Sequence, residues 1–324
     1  MADNAFSYCI GVDMGGTNMR CAVVDGTHRL LSRIDRPTLA QEGPESVLTR
    51  LNAAVDEAIV HSGVARNDIA AVGIGVPGFV EQRSGLVRAL TNMPGWHDVL
   101  LGDVFRTRTG LATFVENDAN CAGWGEYKAG AGIGCVDLAM VTLGTGIGGA
   151  IVLDGKLHVG HDGAAGEFGH ICIENGGRPC QCGARGCVEA YASANSVVRR
   201  FREMVGEGWL TDLGGEVTCK DIFDAAAEGD PLAKHVADKT AFYVGMLVNT
   251  IAEMLNPERC VLFGGMARSG EWFFDKIREA CERGNKHIGP RGVEIVPALL
   301  GPDAGLIGAA DYARGRASAN SALA

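Results

Sequence analysis

Apolar residues recur along the chain in two arrangements, short runs typical of strands and longer segments typical of helices. Short runs predict strands at 7–12, 19–24, 28–34, 69–76, 111–116, 137–143, 150–153, 259–265 and 293–297. Longer segments predict helices at 44–62, 118–129, 231–255, 270–283 and 303–315. This alternation indicates an α/β fold, and a length of 324 residues favours two domains. We expect a small lobe formed by 1–121 plus 303–324 and a large lobe formed by 122–302, with the terminal RGRASANSALA frayed.

Two segments, 8–24 and 137–153, share one design: an apolar strand, a glycine-rich turn and a returning strand. Glycines allow backbone N–H groups to approach an oxyanion, and an aspartate at a strand end can hold a metal-bound water beside phosphates. One such turn alone favours a simple hairpin, but two predict a clamp on a phosphate chain. The candidate phosphate contacts are Asp13, Gly15, Gly16, Thr17, Thr145 and Gly146.

A third glycine pair, Gly264 and Gly265, follows the strand at 259–263 and is suited to packing against a nucleotide base or ribose. Neither glycine turn has the lysine of a Walker loop, and neither opens a helix as a dinucleotide fingerprint does. The repetition of the turn also suggests an ancient duplication.

An acidic residue, Asp118, follows the strand at 111–116 and lies at or next to the start of a helix. One interpretation is that Asp118 is only the N-cap of that helix. The other is that its carboxylate accepts a proton from a substrate hydroxyl. The neighbouring Asn117 has an amide that can donate to one sugar oxygen and accept from another.

One histidine and three cysteines crowd the segment HICIENGGRPCQCGARGC at 170–187. One nitrogen and three sulfurs form a closed tetrahedral ligand set, which predicts a structural zinc site rather than a catalytic one. A CxxC redox motif is not present, and a disulfide does not fit a chain with an odd number of thiols. The four candidate ligands are His170, Cys180, Cys182 and Cys187.

Two glutamates, Glu167 and Glu189, bracket the cysteine-rich segment. Carboxylates held at fixed positions can accept hydrogen bonds from vicinal hydroxyls, so both are candidate sugar ligands. The alternative is that both are solvated surface residues. A metal-bound His170 could also donate to a sugar hydroxyl through its second ring nitrogen.

The composition narrows the choice of compartment and partner. A net charge of −10 makes a nucleic-acid partner unexpected. We expect no secretory signal and no membrane span, because the first residues lack a basic region and no run of about 18 apolar residues occurs. Eleven cysteines without a disulfide framework favour a reducing cytoplasm, and the eight outside the zinc set are expected to be buried thiols.

Six motifs together resemble the ROK family of repressors, open-reading-frame proteins and sugar kinases. They are DMGGT, GVPG, ENDAN, LGTGIGGA, EFGH and CQCGARGCVE, and the resemblance runs from about residue 8 to 312. It implies a two-domain actin-like, ribonuclease-H-like ATPase fold with the active site in the cleft between the lobes. Family repressors carry an added helix-turn-helix domain, for which the twelve residues before Asp13 are too few, so we expect a kinase.

The resemblance implies an ATP-dependent, Mg²⁺-dependent hexose 6-phosphotransferase in which Asp118 is the catalytic base. It implies nucleotide contacts at the two turns and at Gly264 and Gly265. It also implies a homodimer. Glucose is the expected sugar, because TNMPGW at 91–96 is similar to a loop of bacterial glucokinases in the family. N-acetylmannosamine, N-acetylglucosamine, allose or fructose, or a regulator without turnover, are the alternatives. The implied sugar ligands are Gly78, Asn92, Asn117, Asp118, Glu167, His170 and Glu189.

Overall fold

The structure is a computed structural model that describes residues 7–90, 93–284 and 292–323. The strands, numbered along the chain, are β1 (Tyr8–Met14), β2 (Asn18–Asp25), β3 (Ile34–Pro37), β4 (Ile69–Val76), β5 (Gly78–Glu81), β6 (Leu86–Leu90), β7 (His97–Leu100), β8 (Thr113–Asn117), β9 (Leu138–Leu143), β10 (Ile147–Leu153), β11 (Lys156–Leu157), β12 (Arg259–Phe263) and β13 (Glu294–Pro297). The helices are α1 (Pro44–Ser62), α2 (Leu101–Thr109), α3 (Asp118–Ala129), α4 (Glu189–Ala192), α5 (Ala194–Gly206), α6 (Cys219–Glu228), α7 (Pro231–Leu255), α8 (Glu271–Gly284) and α9 (Ala304–Leu323).

The chain divides into two compact units. The first comprises Met1–Ile133, Leu157–Ala165 and Leu300–Ala324, and the second comprises Gly134–Lys156 and Gly166–Leu299. The division that the sequence suggested at residue 121 falls inside α3. That whole helix belongs to the first unit because it packs against α9.

The first unit is built on a five-stranded sheet with the order β3-β2-β1-β4-β8. Strands β1, β2 and β3 pair antiparallel, whereas β1, β4 and β8 pair parallel. One face of the sheet packs on an apolar cluster that includes Leu51 of α1 and Phe105 of α2. The other face packs on α9 through a smaller cluster that includes Leu306 and Ala310.

Helix α9 lies so close to the sheet that the strands beneath it contain glycine where the backbones meet. A β-carbon built on Gly73 of β4 would lie 1.9 Å from the carbonyl oxygen of Ala309. No side chain fits at that distance, so the first unit depends on the last helix of the chain to cover its sheet.

The second unit repeats the same sheet pattern with the order β11-β10-β9-β12-β13. Strands β9 and β10 form the antiparallel hairpin, and β12 pairs parallel with both β9 and β13. Each unit therefore has one strand–turn–strand hairpin at an equivalent place in its sheet, as the duplication inferred from the sequence predicts. Helix α7 begins at its predicted cap, where Asp230 accepts the N–H of Ala233 at 2.8 Å.

Helices α1, α3 and α7 have the predicted bounds, but three expectations were wrong. The strand expected at 28–34 is β3, at Ile34–Pro37, because Asp25 accepts hydrogen bonds from Thr27 and Arg29 and prolongs the turn. The strand expected from residue 150 begins earlier, at Ile147. The tail expected to fray continues α9 through Leu323. The sequence analysis also missed α2 and the small sheet β5-β6-β7.

The expectation for the eight remaining thiols holds for five of them. Cys172 is exposed, and Cys135 and Cys219 are half-buried. Within the described ranges, the helices are all too short or too polar to cross a membrane.

Candidate active site

The first candidate group surrounds the junction of β8 and α3. Asn117, rather than Asp118, is the N-cap of α3, and its Oδ1 accepts the N–H groups of Ala119 and Asn120 at 2.9 and 3.1 Å. The interpretation of Asp118 as the cap is therefore wrong. Asp118 is instead the first helical residue, half-buried, and its Oδ1 lies 2.8 Å from the N of Ala119.

The Asn117 amide is also held at its other end. Its Nδ2 donates to the carbonyl oxygen of Gly78 at 3.2 Å, and Gly78 has a φ of 146° that favours glycine. Since Oδ1 already serves the helix, the expectation that Asn117 accepts a hydrogen bond from a sugar is not supported by this geometry. One hydrogen of Nδ2 remains to donate.

The first glycine turn joins β1 to β2. Gly15 donates its N–H to the carbonyl of Asn18 at 2.9 Å. The buried Thr38 supports the turn from outside, since its hydroxyl donates to the carbonyl of Gly15 at 2.6 Å and its N–H to that of Thr17 at 2.8 Å. Gly16 lies between these anchored residues. The carbonyls of Gly15 and Thr17 and the N–H of Gly15 therefore fix the turn, and the N–H groups of Gly16 and Thr17 are its candidates for binding an anion.

Asp13 precedes this turn on β1 and pairs across the hairpin with Arg20 of β2. The Nη1 of Arg20 lies 3.1 Å from Oδ2 of Asp13. Burial raises the pKa of Asp13 above its ordinary value, and the Arg20 charge opposes that rise. Burial also raises the pKa of the Cys121 thiol, and the charges of Glu116, Asp118 and Asp13 add to the effect.

The second glycine turn joins β9 to β10 and contains Thr145 and Gly146. Gly144 donates its N–H to the carbonyl of Gly146 at 3.1 Å. The N–H of Ile147, directly after the turn, donates to Oε2 of Glu189 at 2.8 Å. Glu189 is thus bonded to the candidate phosphate turn, a contact that its sequence position does not suggest.

Gly264 lies against the start of the same turn. Its φ is 111°, and a β-carbon there would lie 2.5 Å from the carbonyl oxygen of Leu143, the last residue of β9. Gly265 follows directly and precedes a 3₁₀ turn at Met266–Arg268. The third glycine pair is therefore next to the second turn.

The cysteine-rich segment brings its four predicted ligands together, with the four ligand atoms all within 4.8 Å of one another. The Sγ atoms of Cys182 and Cys187 are 3.7 Å apart, and Sγ of Cys180 is 3.7 Å from Nδ1 of His170. In a zinc tetrahedron with Zn–S of about 2.3 Å and Zn–N of about 2.0 Å, these separations are about 3.8 and 3.6 Å. The residues present therefore fit a closed zinc site.

The thiols differ in how readily they lose a proton. Burial raises the pKa of Cys187 to about 12, whereas hydrogen bonding to the backbone of Ala184 lowers the pKa of Cys182. The segment is also held by the backbone, because Val188 donates its N–H to Ile171 at 2.9 Å and Cys180 donates to Ala184 at 2.9 Å.

The two bracketing glutamates both lie beside this cluster. Nε2 of His170 is 3.8 Å from Oε2 of Glu167, so the ring nitrogen that does not face the cysteines faces that carboxylate. Burial raises the pKa of Glu167, and Glu189 adds to the rise while His170 opposes it. Oε1 of Glu189 is 3.8 Å from Sγ of Cys180.

The second unit therefore joins its candidate residues into one connected group, from Glu167 and His170 through the cysteines to Glu189, Gly146 and Gly264. In the first unit, Gly78, Asn117 and Asp118 form one group. Asn92 lies outside the described residues. Sequence reasoning missed Thr38, Arg20 and Glu116, of which only Glu116 carried a signal, as an acidic residue within a strand.

Comparisons with known proteins identify the family to which the chain belongs. The model of the ROK family matches residues 9–316. A glucokinase of Thermotoga maritima is 38% identical over 95% of this chain and 97% of its own length, and an N-acetylmannosamine kinase of Salmonella typhi is 31% identical over 94% and 98%. The crystal structure of a ROK glucokinase from Streptomyces griseus with glucose and AMPPNP is 38% identical, covers 95% of this chain and 99% of that one, and has a TM-score of 0.80. The fold is accordingly the actin-like ATPase fold, and the chain belongs to the ROK family.

Proposed function

We propose that this protein is an ATP-dependent glucokinase that phosphorylates the 6-hydroxyl of glucose. The observation that carries the proposal is the 38% identity, over almost the whole chain, to a glucokinase solved with glucose and an ATP analogue. The groups described above supply the chemistry that this reaction requires: a carboxylate, backbone N–H groups in glycine turns and hydrogen-bond acceptors for hydroxyls.

Asp118 is the proposed catalytic base. Its carboxylate accepts the proton of the sugar 6-hydroxyl as that oxygen attacks the γ-phosphorus of Mg-ATP. The bond between the γ-phosphorus and the bridging oxygen breaks, and ADP is the leaving group. Asn117 keeps Asp118 out of the capping position and donates to the sugar through its Nδ2. Gly78 lies at the sugar side, where its carbonyl holds that same amide.

Glu167, His170 and Glu189 are the proposed sugar ligands of the second unit. Since Oε2 of Glu189 accepts the N–H of Ile147, its Oε1 is the oxygen that receives a sugar hydroxyl. With Nδ1 on the cysteine side, His170 carries its proton on Nε2 and donates from there. Asn92 is a further proposed sugar ligand, on the family resemblance alone.

The two glycine turns are the proposed phosphate contacts, and Gly264 and Gly265 line the adenosine side. Gly15 shapes the first turn through its N–H bond to Asn18, and the backbone N–H groups of Gly16, Thr17, Thr145 and Gly146 neutralise charge on the transferring group, so catalysis is mainly positioning and electrostatics. Asp13 would hold a water of the magnesium ion that accompanies ATP.

His170, Cys180, Cys182 and Cys187 hold the proposed structural zinc ion. With four protein ligands it offers no open position to a substrate, and its contribution is to stabilise the segment that carries Glu167 and Glu189. A homodimer and a cytoplasmic location complete the proposal, on the family resemblance and on the thiol-rich composition.

A second candidate substrate is N-acetylmannosamine, because a kinase for that sugar is 31% identical over most of the chain. ATP consumption measured over a panel of hexoses distinguishes the two, and the sugar with the highest kcat/KM identifies the substrate. No ATP consumption with any sugar, together with sugar binding, would indicate a regulator without turnover.

The test of the proposed base is Asp118→Asn, with Asp68→Asn as a matched change at an exposed aspartate. We expect Asp118→Asn to lower kcat by at least about 10²-fold, since general-base catalysis contributes about 10²–10⁴-fold. Glucose binding measured by calorimetry should largely survive. Asp68→Asn should match the wild type. Near-normal turnover in Asp118→Asn would reject the assignment.

A further inference from the structure

The side chain of Glu116, which immediately precedes the Asn117–Asp118 junction, is almost completely buried. Only 1% of the residue is exposed, although it lies near the end of β8. Burying a carboxyl group is unfavourable unless hydrogen bonds compensate. Burial raises the pKa of Glu116 above its ordinary value, and the hydrogen bonds that it accepts oppose the rise. None of the roles proposed above uses this residue.

One oxygen of Glu116 accepts hydrogen bonds from three donors, which lie in two parts of the first unit. Oε1 accepts the backbone N–H of Asn117 at 2.8 Å, Nδ2 of Asn120 at 3.0 Å and Nε2 of Gln82 at 3.3 Å. The first two donors lie on either side of Asp118 in the chain. The third follows β5, the strand whose Gly78 accepts the Asn117 side chain.

These contacts hold the residue before Asp118 at its backbone N–H and at both ends of its side-chain amide. The N–H of Asn117 is held by Glu116, its Oδ1 by the first turn of α3, and its Nδ2 by Gly78. The side chain of Asn120, one turn into the helix, is held by the same Glu116 oxygen. Asp118 therefore extends from a turn whose two flanks share one buried acceptor.

We propose that Glu116 is a positioning residue for Asp118: its Oε1 acceptor sets the orientation of the proposed base by holding Asn117 and Asn120 around it. This inference rests on the proposed function. It concerns geometry rather than charge, since the three donors that flank or face the junction all bond to the same oxygen, Oε1.

The proposal predicts an unusual order among substitutions. Glu116→Gln keeps an oxygen acceptor at the same reach and removes the charge, so we expect kcat to stay within about threefold of wild type. Glu116→Asp keeps the charge but is one methylene shorter and withdraws the acceptor from the Asn117 N–H. We expect its kcat to fall at least about tenfold, because a small misplacement of a reacting group is costly. The KM for ATP should stay within about twofold in both.

Glu126 provides the matched control. Glu126 is also fully buried but lies on α3, and its carboxylate accepts the N–H groups of Ala131 and Leu300, away from the junction. Glu126→Asp should lower the melting temperature as much as Glu116→Asp does, but should leave kcat within about threefold of wild type.

The outcomes separate this inference from the proposed function. If the wild type does not consume ATP with any hexose, or Asp118→Asn is fully active, the proposed function fails whatever Glu116 does. If those two behave as expected but Glu116→Asp is as active as Glu116→Gln, the positioning role is wrong. Equal loss of kcat in Glu116→Asp and Glu126→Asp would also overturn it, since the effect would then follow burial alone.

Discussion

Gly146 offers a direct test of whether the second glycine turn positions Glu189. A β-carbon added at Gly146 would lie 2.6 Å from Oε2 of Glu189, the same oxygen that accepts the N–H of Ile147 at 2.8 Å. Ordinary non-bonded contacts are about 3.5 Å, so in Gly146→Ala the carboxylate must move by about 0.9 Å. That movement breaks the hydrogen bond to Ile147.

The size of the effect follows from the bond that is lost. A hydrogen bond to a charged acceptor contributes about 1.5–3 kcal/mol, and about 1.4 kcal/mol corresponds to a factor of ten. We therefore expect kcat/KM for glucose to fall about ten- to hundredfold in Gly146→Ala. Because the obstructing atom is the end of a flexible side chain, the melting temperature should fall by less than about 3 °C.

The assay is steady-state glucose 6-phosphate formation, with glucose varied at saturating ATP and ATP varied at saturating glucose. Gly144→Ala is the control, because a β-carbon there has its nearest neighbour, the carbonyl oxygen of Gly146, 3.9 Å away. Its KM for glucose should stay within about twofold of wild type. If Gly144→Ala raises the glucose KM as much as Gly146→Ala, or if Gly146→Ala changes only the KM for ATP, the turn does not act through Glu189.

Two further predictions concern the metal cluster and the first hairpin. Cys182→Ser should lose bound zinc, measured by metal analysis, and should have a lower melting temperature and a higher glucose KM. The control is Cys172→Ser, which changes an exposed cysteine of the same segment outside the cluster and should retain all three properties. A Cys182→Ser protein with full zinc content would contradict the ligand assignment. Burial raises the pKa of Asp25, but hydrogen bonds from Thr27 and Arg29 outweigh it and hold that pKa below its ordinary value. The ionised Asp25 carboxylate therefore stabilises the fold above about pH 4, and this stabilisation is lost as the pH falls through the folded-state pKa. The difference in melting temperature between wild type and Asp25→Asn should consequently narrow from about pH 6 to about pH 3, and a difference that widens would contradict the assignment.

The sequence predicted those features whose determinants lie close together in the chain. Helices α1, α3 and α7 follow from apolar spacing and caps, and the cluster of one histidine and three cysteines follows from four candidate ligands within 18 residues, 170–187. The hairpin turns were recognisable because an apolar strand, glycines and a second strand occur in succession. In each case a local rule and the final structure agree.

The remaining features depend on contacts between residues that are distant in the sequence. Thr38 supports the first turn from 23 residues beyond Gly15, and Glu189 reaches Ile147 from 42 residues away. The cap was assigned to Asp118 from the sequence, but Asn117 is an equally good N-cap, and its amide also bonds to Gly78, 39 residues away. The strand expected at 28–34 was displaced by side-chain bonds to Asp25 that propensity does not register.

The cover that α9 provides for the first sheet has a consequence for protein synthesis. A ribosome finishes every strand of that sheet by residue 117, yet the helix that shields its Cys9 and Ala71 face emerges only with residues 304–323. All residues of the second unit are translated before then. The first unit therefore completes the packing of its sheet only after the whole second unit has been translated. A nascent chain halted at residue 299 would present the apolar face that α9 covers to chaperones or to other stalled chains.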